Sequence, residues 1–185
     1  MRVHSKGVVD VKQGKGMRVA PSSEWDPLDT DIMRIRFERG DLASTWREMI
    51  EARRMFEVEA AGLAAERRDE SDQVALAKSV ERMSDAARSG DLEAYRRADA
   101  EFHLCVIRAT HNAVLQRIVE PIYPVLVAGG LRPARDPLCS LKPHEQVLKA
   151  IQAQDPITAR EAMRESLTIS DRIEAEMAAF RITLD

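Results

Sequence analysis

The chain has 185 residues, 44% hydrophobic but only 4% aromatic, which suits one aliphatic core of ordinary domain size. With 32% charged residues, this composition favours packed amphipathic helices over a sandwich or barrel. The net charge of -3 excludes a globally basic nucleic-acid binder, although Arg2, Lys6, Lys12, Lys15 and Arg18 crowd the first residues.

Cys105 and Cys139 form no CxxC, so a disulfide framework is not expected and a reducing cytoplasm fits. The N-terminus has no apolar leader, and the longest apolar stretch, PVLVAGGL, is too short to span a bilayer. A soluble, cytoplasmic protein without a membrane partner is expected.

In chain order, KGVVDVKQGKGMRVAP alternates β-branched residues about QGKG. Val9 and Val11 lead in, and Met17 and Val19 lead out, which predicts a short hairpin with a glycine turn. A lone hairpin is not stable, so it must pack on something. PSSEWDP reads as a linker. A short helix is expected over about Leu28 to Glu38, stopped by Gly40. A long helix follows to Arg67, with Trp46, Met49, Ile50, Phe56, Ala60 and Leu63 inward. The next is capped by Ser71 or Asp72, carries Leu76, Val80, Met83 and Ala87 inward, and ends at Gly90. Asp91 opens a helix that breaks at Asn112. A helix from Ala113 then meets Pro121 and Pro124, which should kink it. GGLRPARDPLCSLKP reads as a loop. Pro143 starts a helix through Gln154, and Pro156 starts a last one to about Phe180.

The Asp91 helix carries RADAEFHLCVIRATHN, residues 97–112. Its apolar stripe is Leu92, Tyr95, Phe102, Val106 and Ala109, and the member missing between Tyr95 and Phe102 is Asp99. His103 lies beside Asp99 on the same face. An unpaired buried carboxylate costs several kcal/mol, so Asp99 needs a partner. Other helices repeat the pattern: Arg53 falls on the Met49–Phe56 stripe, His144 precedes Val147, Leu148 and Ile151, and Ser166 lies on the stripe of Ala159, Met163, Ile173 and Met177. Polar groups at similar depth on several helices suggest a pocket within the bundle.

Three readings remain open on the residues alone. One is a satisfied core network in which Asp99 pairs with Arg53 and the histidines bond to backbone. A second is a divalent-metal site, since Asp99, His103 and His144 supply an O/N/N donor set that suits zinc. A third is an enzyme using a metal-bound water. Against the enzyme, there is no HExxH, no ExxH, no phosphate-binding glycine loop and no organised nucleophile, so no catalytic residue is assigned. His111 reads as a surface or capping residue, and Cys105 as a small core residue.

Several stretches match one family in order and spacing. EARRMFEVEAAGLAAERR, RADAEFHLCVIRATHNAVL and HEQVLKAIQAQDPITAREAMRESL resemble the FCD ligand-binding domain of the FadR subfamily of GntR transcription regulators. The likeness spans about residues 42–180. KGVVDVKQGKGMRVAP resembles the wing that ends a GntR winged helix-turn-helix, and EWDPLDTDIM the linker and helix after it. The resemblance implies an all-α antiparallel bundle over residues 42–182, a linker and short helix over 21–41, and a remnant wing over 1–20.

It also implies a regulator, not an enzyme, that acts as a homodimer and binds a small carboxylate effector. By position, Asp99, His103 and His144 would hold the metal, and Arg53 would read the effector. The family's third metal-binding histidine falls at Ser166, a poorer ligand, which would leave room for the effector's carboxylate. EWDPLD further resembles regulators of sugar-acid operons. Lys12, Gly14, Lys15, Gly16 and Arg18 would form the DNA-contacting wing. The recognition helix should precede the wing, where only MRVHS stands. The chain is therefore expected to be truncated and to need a longer form to bind operator DNA. The alternative is a stand-alone metal-dependent sensor or enzyme on the same bundle.

Overall fold

A computed structural model describes residues 7–12, 16–27, 29–38, 42–124 and 137–168. Within these, β1 (Val9–Lys12) and β2 (Gly16–Val19) form the expected antiparallel hairpin, pairing Val9 with Val19 and Val11 with Met17. All of β2 is exposed. The hairpin is tied down at its base, where the Ala20 amide donates to Val8 and the Trp25 indole donates to the Ala20 carbonyl. PSSEWDP is thus partly ordered: it contains a 3-10 turn at Ser22–Glu24.

The rest is helical: α1 (Thr30–Glu38), α2 (Leu42–Arg67), α3 (Glu70–Ser89), α4 (Leu92–Arg108), α5 (Ala113–Val119), α6 (Pro137–Gln152) and α7 (156–168). Helix α3 lies along α4 and α6, α2 packs on α4 and α6, and α1 on α2. Phe102, Leu76, Met83, Ile107, Ile151 and Met163 are almost fully buried between them. The alanines Ala60, Ala61, Ala64 and Ala65 give α2 a thin face, and small side chains let helices approach closely.

Several boundaries differ from expectation for local reasons. Helix α1 starts at Thr30 because the Asp29 carboxylate accepts from the Asp31 and Ile32 amides. Helix α3 is capped by Asp69, not by Ser71 or Asp72. Asp69 accepts from the Asp72 amide, and the Asp72 side chain accepts from the Asp69 amide, a capping box with aspartate in the usual Glu/Gln place. Gly90 ends α3 as expected, at φ 73°, where a side chain would be strained. Asp91 and Asn112 each cap the helix that follows them.

Helix α5 stops at Val119, before Pro121, and helical backbone resumes at 122–124. Helix α6 begins at Pro137 and carries Pro143 inside it, so the expected loop is helical from residue 137. Proline is well suited to the first turn, where no intrahelical N–H bond is lost. The expected continuation of the last helix to Phe180, and the rest of the loop, lie outside the described residues.

Two stripes also shift. On α4, Leu92 is exposed and Asp99 is partly open, while Tyr95, Ala98, Phe102, Cys105, Val106 and Ala109 are buried. The buried line runs through Ala98, so Asp99 sits at its edge. On α2, Phe56 and Leu63 are only half-buried, and Glu57 and Val58 are buried instead.

The helix ends are locked to one another. Arg67 at the end of α2 donates to the Thr110 carbonyl, and Arg68 donates to the Ile151 and Gln152 carbonyls at the end of α6, where unsatisfied carbonyls favour a cation. Helix α7 is held to α2 by Arg160, which bonds to Glu59 at 2.9 Å. Arg160 lies so close over Gly62 that a β-carbon there would sit 2.3 Å from its Cζ.

Candidate metal and effector site

One polar cluster lies inside the bundle. Helix α4 presents Asp99 and His103 one turn apart. Helix α6 brings His144, α7 brings Ser166, and α2 brings Arg53. His144 Nε2 lies 3.0 Å from Asp99 Oδ1, 3.3 Å from His103 Nε2 and 3.5 Å from Ser166 Oγ. His103 Nε2 is 3.9 Å from Asp99 Oδ1. The two histidines and Ser166 are buried, whereas the Asp99 side chain is 30% exposed.

Burial would raise the Asp99 pKa, but the hydrogen bond with His144, the two imidazoles and the charge of Arg53 outweigh it and lower it to about 2. Phe102 stands edge-on to both imidazoles, at 5.7 Å from His103 and 5.1 Å from His144.

The Asp99–Arg53 pair of the core-network reading is not among the contacts of the described residues. Arg53 Nε instead bonds Glu57 Oε1 at 2.6 Å, with both side chains buried. The Tyr123 hydroxyl, from the helical turn at 122–124, donates to the same oxygen at 2.6 Å. The Arg53 guanidinium lies 5.7 Å from the Tyr123 ring centroid. The second Glu57 oxygen lies 2.6 Å from His103 Nδ1. Burial alone would raise the Glu57 pKa, but Arg53 and then His103 hold it well below the ordinary carboxylate range. Burial and the Glu57 charge push Tyr123 well above its usual value.

Glu57 and Tyr123 were not anticipated. Glu57 had a readable signal: it follows Arg53 by four residues on the line from Met49. Tyr123 sits between two prolines and had none.

The donor set fits a divalent cation. The ligand atoms of Asp99, His103 and His144 all lie within 4.8 Å of one another. Two nitrogens held tetrahedrally by one ion at about 2.0–2.1 Å are about 3.3 Å apart, the spacing of the facing imidazoles. His103 Nδ1 faces a carboxylate, and its Nε2 faces His144 and Asp99. A ring proton or a cation can occupy that junction. One other group of three appears among the described residues: Asp69, Asp72 and His111. It is a surface group whose carboxylates serve the α3 cap, and His111, exposed as expected, bonds Asp72 at 2.8 Å. Cys105 is buried, and burial and then Glu101 push its thiol up to about 11, which suits an inert core residue.

Of the residues expected in a wing, Gly16 and Arg18 lie on β2, with Arg18 exposed and 3.2 Å from Asp10. Lys12 ends β1 opposite Gly16. Gly14 and Lys15 lie outside the described residues.

The architecture is a helical bundle preceded by an exposed hairpin, with two buried histidines and a half-buried aspartate beside a buried arginine. Residues 48–168 match the FCD domain family. The chain is 30% identical over 173 residues to the galactonate operon transcriptional repressor of Escherichia coli K12, covering 91% of this chain and 74% of that protein. It is 25% identical over 173 residues to the HTH-type transcriptional regulator LutR of Bacillus subtilis 168, covering 88% and 75%. Among solved structures it is similar to Streptococcus agalactiae GntR, with a TM-score of 0.63 and 23% identity, covering 92% of this chain and 77% of that one.

The chain belongs to the GntR family of transcriptional regulators, of the FadR type with an FCD effector-binding domain. Its relatives and its fold are those of regulators, not enzymes. Among the described residues, no helix is long and apolar enough to cross a membrane.

Proposed function

We propose that this regulator senses a small organic acid, with a sugar acid as the leading class, through a divalent metal held by Asp99, His103 and His144. The observation that carries this reading is the junction of Asp99, His103 and His144 within 4.8 Å. Arg53 stands beside it: its bond to Glu57 runs from Nε, and no hydrogen bond from its Nη atoms is present among the described residues. The Nη pair suits a carboxylate. Ser166, buried 3.5 Å from His144, would face the effector as a hydroxyl donor where a fourth protein ligand would otherwise close the shell. A bound cation would supply a positive, Lewis-acidic anchor for the carboxylate. The galactonate operon named for the Escherichia coli relative supports the sugar-acid class.

In this reading, residues 42–182 are the effector-binding bundle, 21–41 the linker and short helix, and 1–20 the wing of a winged helix. Lys12, Gly14, Lys15, Gly16 and Arg18 contact DNA in a longer, homodimeric, cytoplasmic form of the protein, and effector binding shifts the placement of its DNA-binding domains.

Thermal-shift and calorimetric titration with aldonic and 2-hydroxy acids, with and without Zn2+ or Mn2+, tests this. Saturable binding that needs the carboxylate and weakens in Arg53→Ala is expected. No binding of any such acid in the presence of metal would contradict it.

A further inference from the structure

Glu57 is fully buried, yet it sits one residue behind the proposed metal site. Its Oε1 accepts from both Arg53 Nε and Tyr123 OH, each at 2.6 Å. Its Oε2 lies 2.6 Å from His103 Nδ1, an ion-pair contact, and both atoms are buried with no hydrogen bond formed by either among the described residues. An ionised carboxylate only accepts hydrogen bonds, so Nδ1 must carry the ring proton. A neutral imidazole protonated at Nδ1 keeps its lone pair on Nε2, the atom that faces His144 and Asp99. Two rings pack on the imidazole. It is stacked on Tyr123 at 6.4 Å and held edge-on by Phe102 at 5.7 Å.

We propose that Glu57 is the positioning residue of this site: from behind, it fixes the His103 tautomer that leaves Nε2 free to bind a cation. The consequence for metal rests on the proposed metal reading, but the tautomer does not. The chemistry makes Glu57→Gln a sharp probe. A glutamine has one acceptor oxygen, which Arg53 and Tyr123 both demand. Its NH2 group is then left facing His103 Nδ1, which must accept. The proton moves to Nε2 and blocks the ligand atom, although shape is conserved. Tyr123→Phe is the comparison variant, because it removes one donor from Oε1 but keeps the ring stacked on His103 and the carboxylate at Nδ1.

Long-range 1H–15N correlation spectra of the metal-free wild-type protein at pH 8 read the tautomer directly. His103 protonated at Nδ1 alone is expected, and protonation at Nε2 would overturn the proposal. Zn2+ titration against a competing chelator should then give about 10–100-fold weaker binding in Glu57→Gln and a smaller loss in Tyr123→Phe, which keeps the carboxylate at Nδ1. Equal Zn2+ affinity in folded Glu57→Gln and wild type would overturn it. Should Glu57→Gln fail to fold, or wild type bind no Zn2+, the wild-type spectrum still decides the tautomer. In the second case only the metal reading falls.

Discussion

Arg53 and Glu57, one turn apart on α2, meet at 2.6 Å where their side chains are only 6% and 0% exposed. Removing Arg53 leaves the buried Glu57 charge with no cation against it, only the Tyr123 hydroxyl and His103, and breaking a buried pair in this way costs about 3–5 kcal/mol. Arg53→Met should therefore lower unfolding stability by roughly that much, as read by urea denaturation. A change near zero would mean that Glu57 is neutral or finds another cation. Arg53→Met with Glu57→Leu should recover only part of the loss, because an apolar pair replaces the ionic one but the buried Tyr123 hydroxyl and His103 Nδ1 lose the carboxylate they face.

Phe102 is fully buried and touches both imidazoles edge-on. Phe102→Ala removes packing and leaves a cavity, so a loss of about 3–5 kcal/mol is expected. Phe102→Leu should lose less stability yet still loosen the imidazoles. Its Zn2+ affinity should fall while its urea midpoint stays closer to wild type, a split that stability and metal titrations measured together would resolve.

The Asp69 cap gives a dependence on pH. Its carboxylate accepts from the Asp72 amide and the Ser71 hydroxyl, which lowers its pKa in the folded chain. A carboxyl with a depressed folded pKa stabilises fully above its unfolded value of about 4 and loses that contribution as pH falls through the lower, folded value. The gap in urea midpoint between wild type and Asp69→Ala should be constant from about pH 7 to 5 and narrow below about pH 4. A gap that widens toward acid would reverse the sign and contradict the assignment.

Ser166 stands 3.5 Å from His144 Nε2 on α7, and imidazole is a better zinc ligand than a hydroxyl. Ser166→His should tighten Zn2+ by at least about tenfold, as judged from the 10–100-fold effects of mere outer-shell changes. The same variant should weaken the organic acid, because a fourth protein ligand takes the open position. Tighter metal with unchanged acid binding would show that the acid does not use that position.

How much of this was readable in the sequence follows from what each residue depends on. Asp99 and His103 share a helix face by spacing alone, and His144 heads an apolar stripe of its own, so the donor set could be listed from periodicity. Its geometry could not, because that depends on how α4 and α6 cross. The core-network reading pairs Arg53 with Asp99, whereas the acceptor is Glu57, one turn from Arg53 on the same helix; periodicity of apolar residues gives a carboxylate on α2 no weight. Leu92 and Asp99 were placed too deep because alanines carry little hydrophobic weight, yet Ala98 is the buried residue on that line. Pro143 was read as a helix start, although Pro137 already supplies one two turns earlier.

The central claim is that Asp99, His103 and His144 form a divalent-metal site, and equilibrium dialysis with elemental analysis tests it most directly. Wild-type protein dialysed against Zn2+ should retain about one ion per chain. Folded Asp99→Ala, treated identically, should retain little or none. Equal retention in the two proteins, or none in either, would contradict the account.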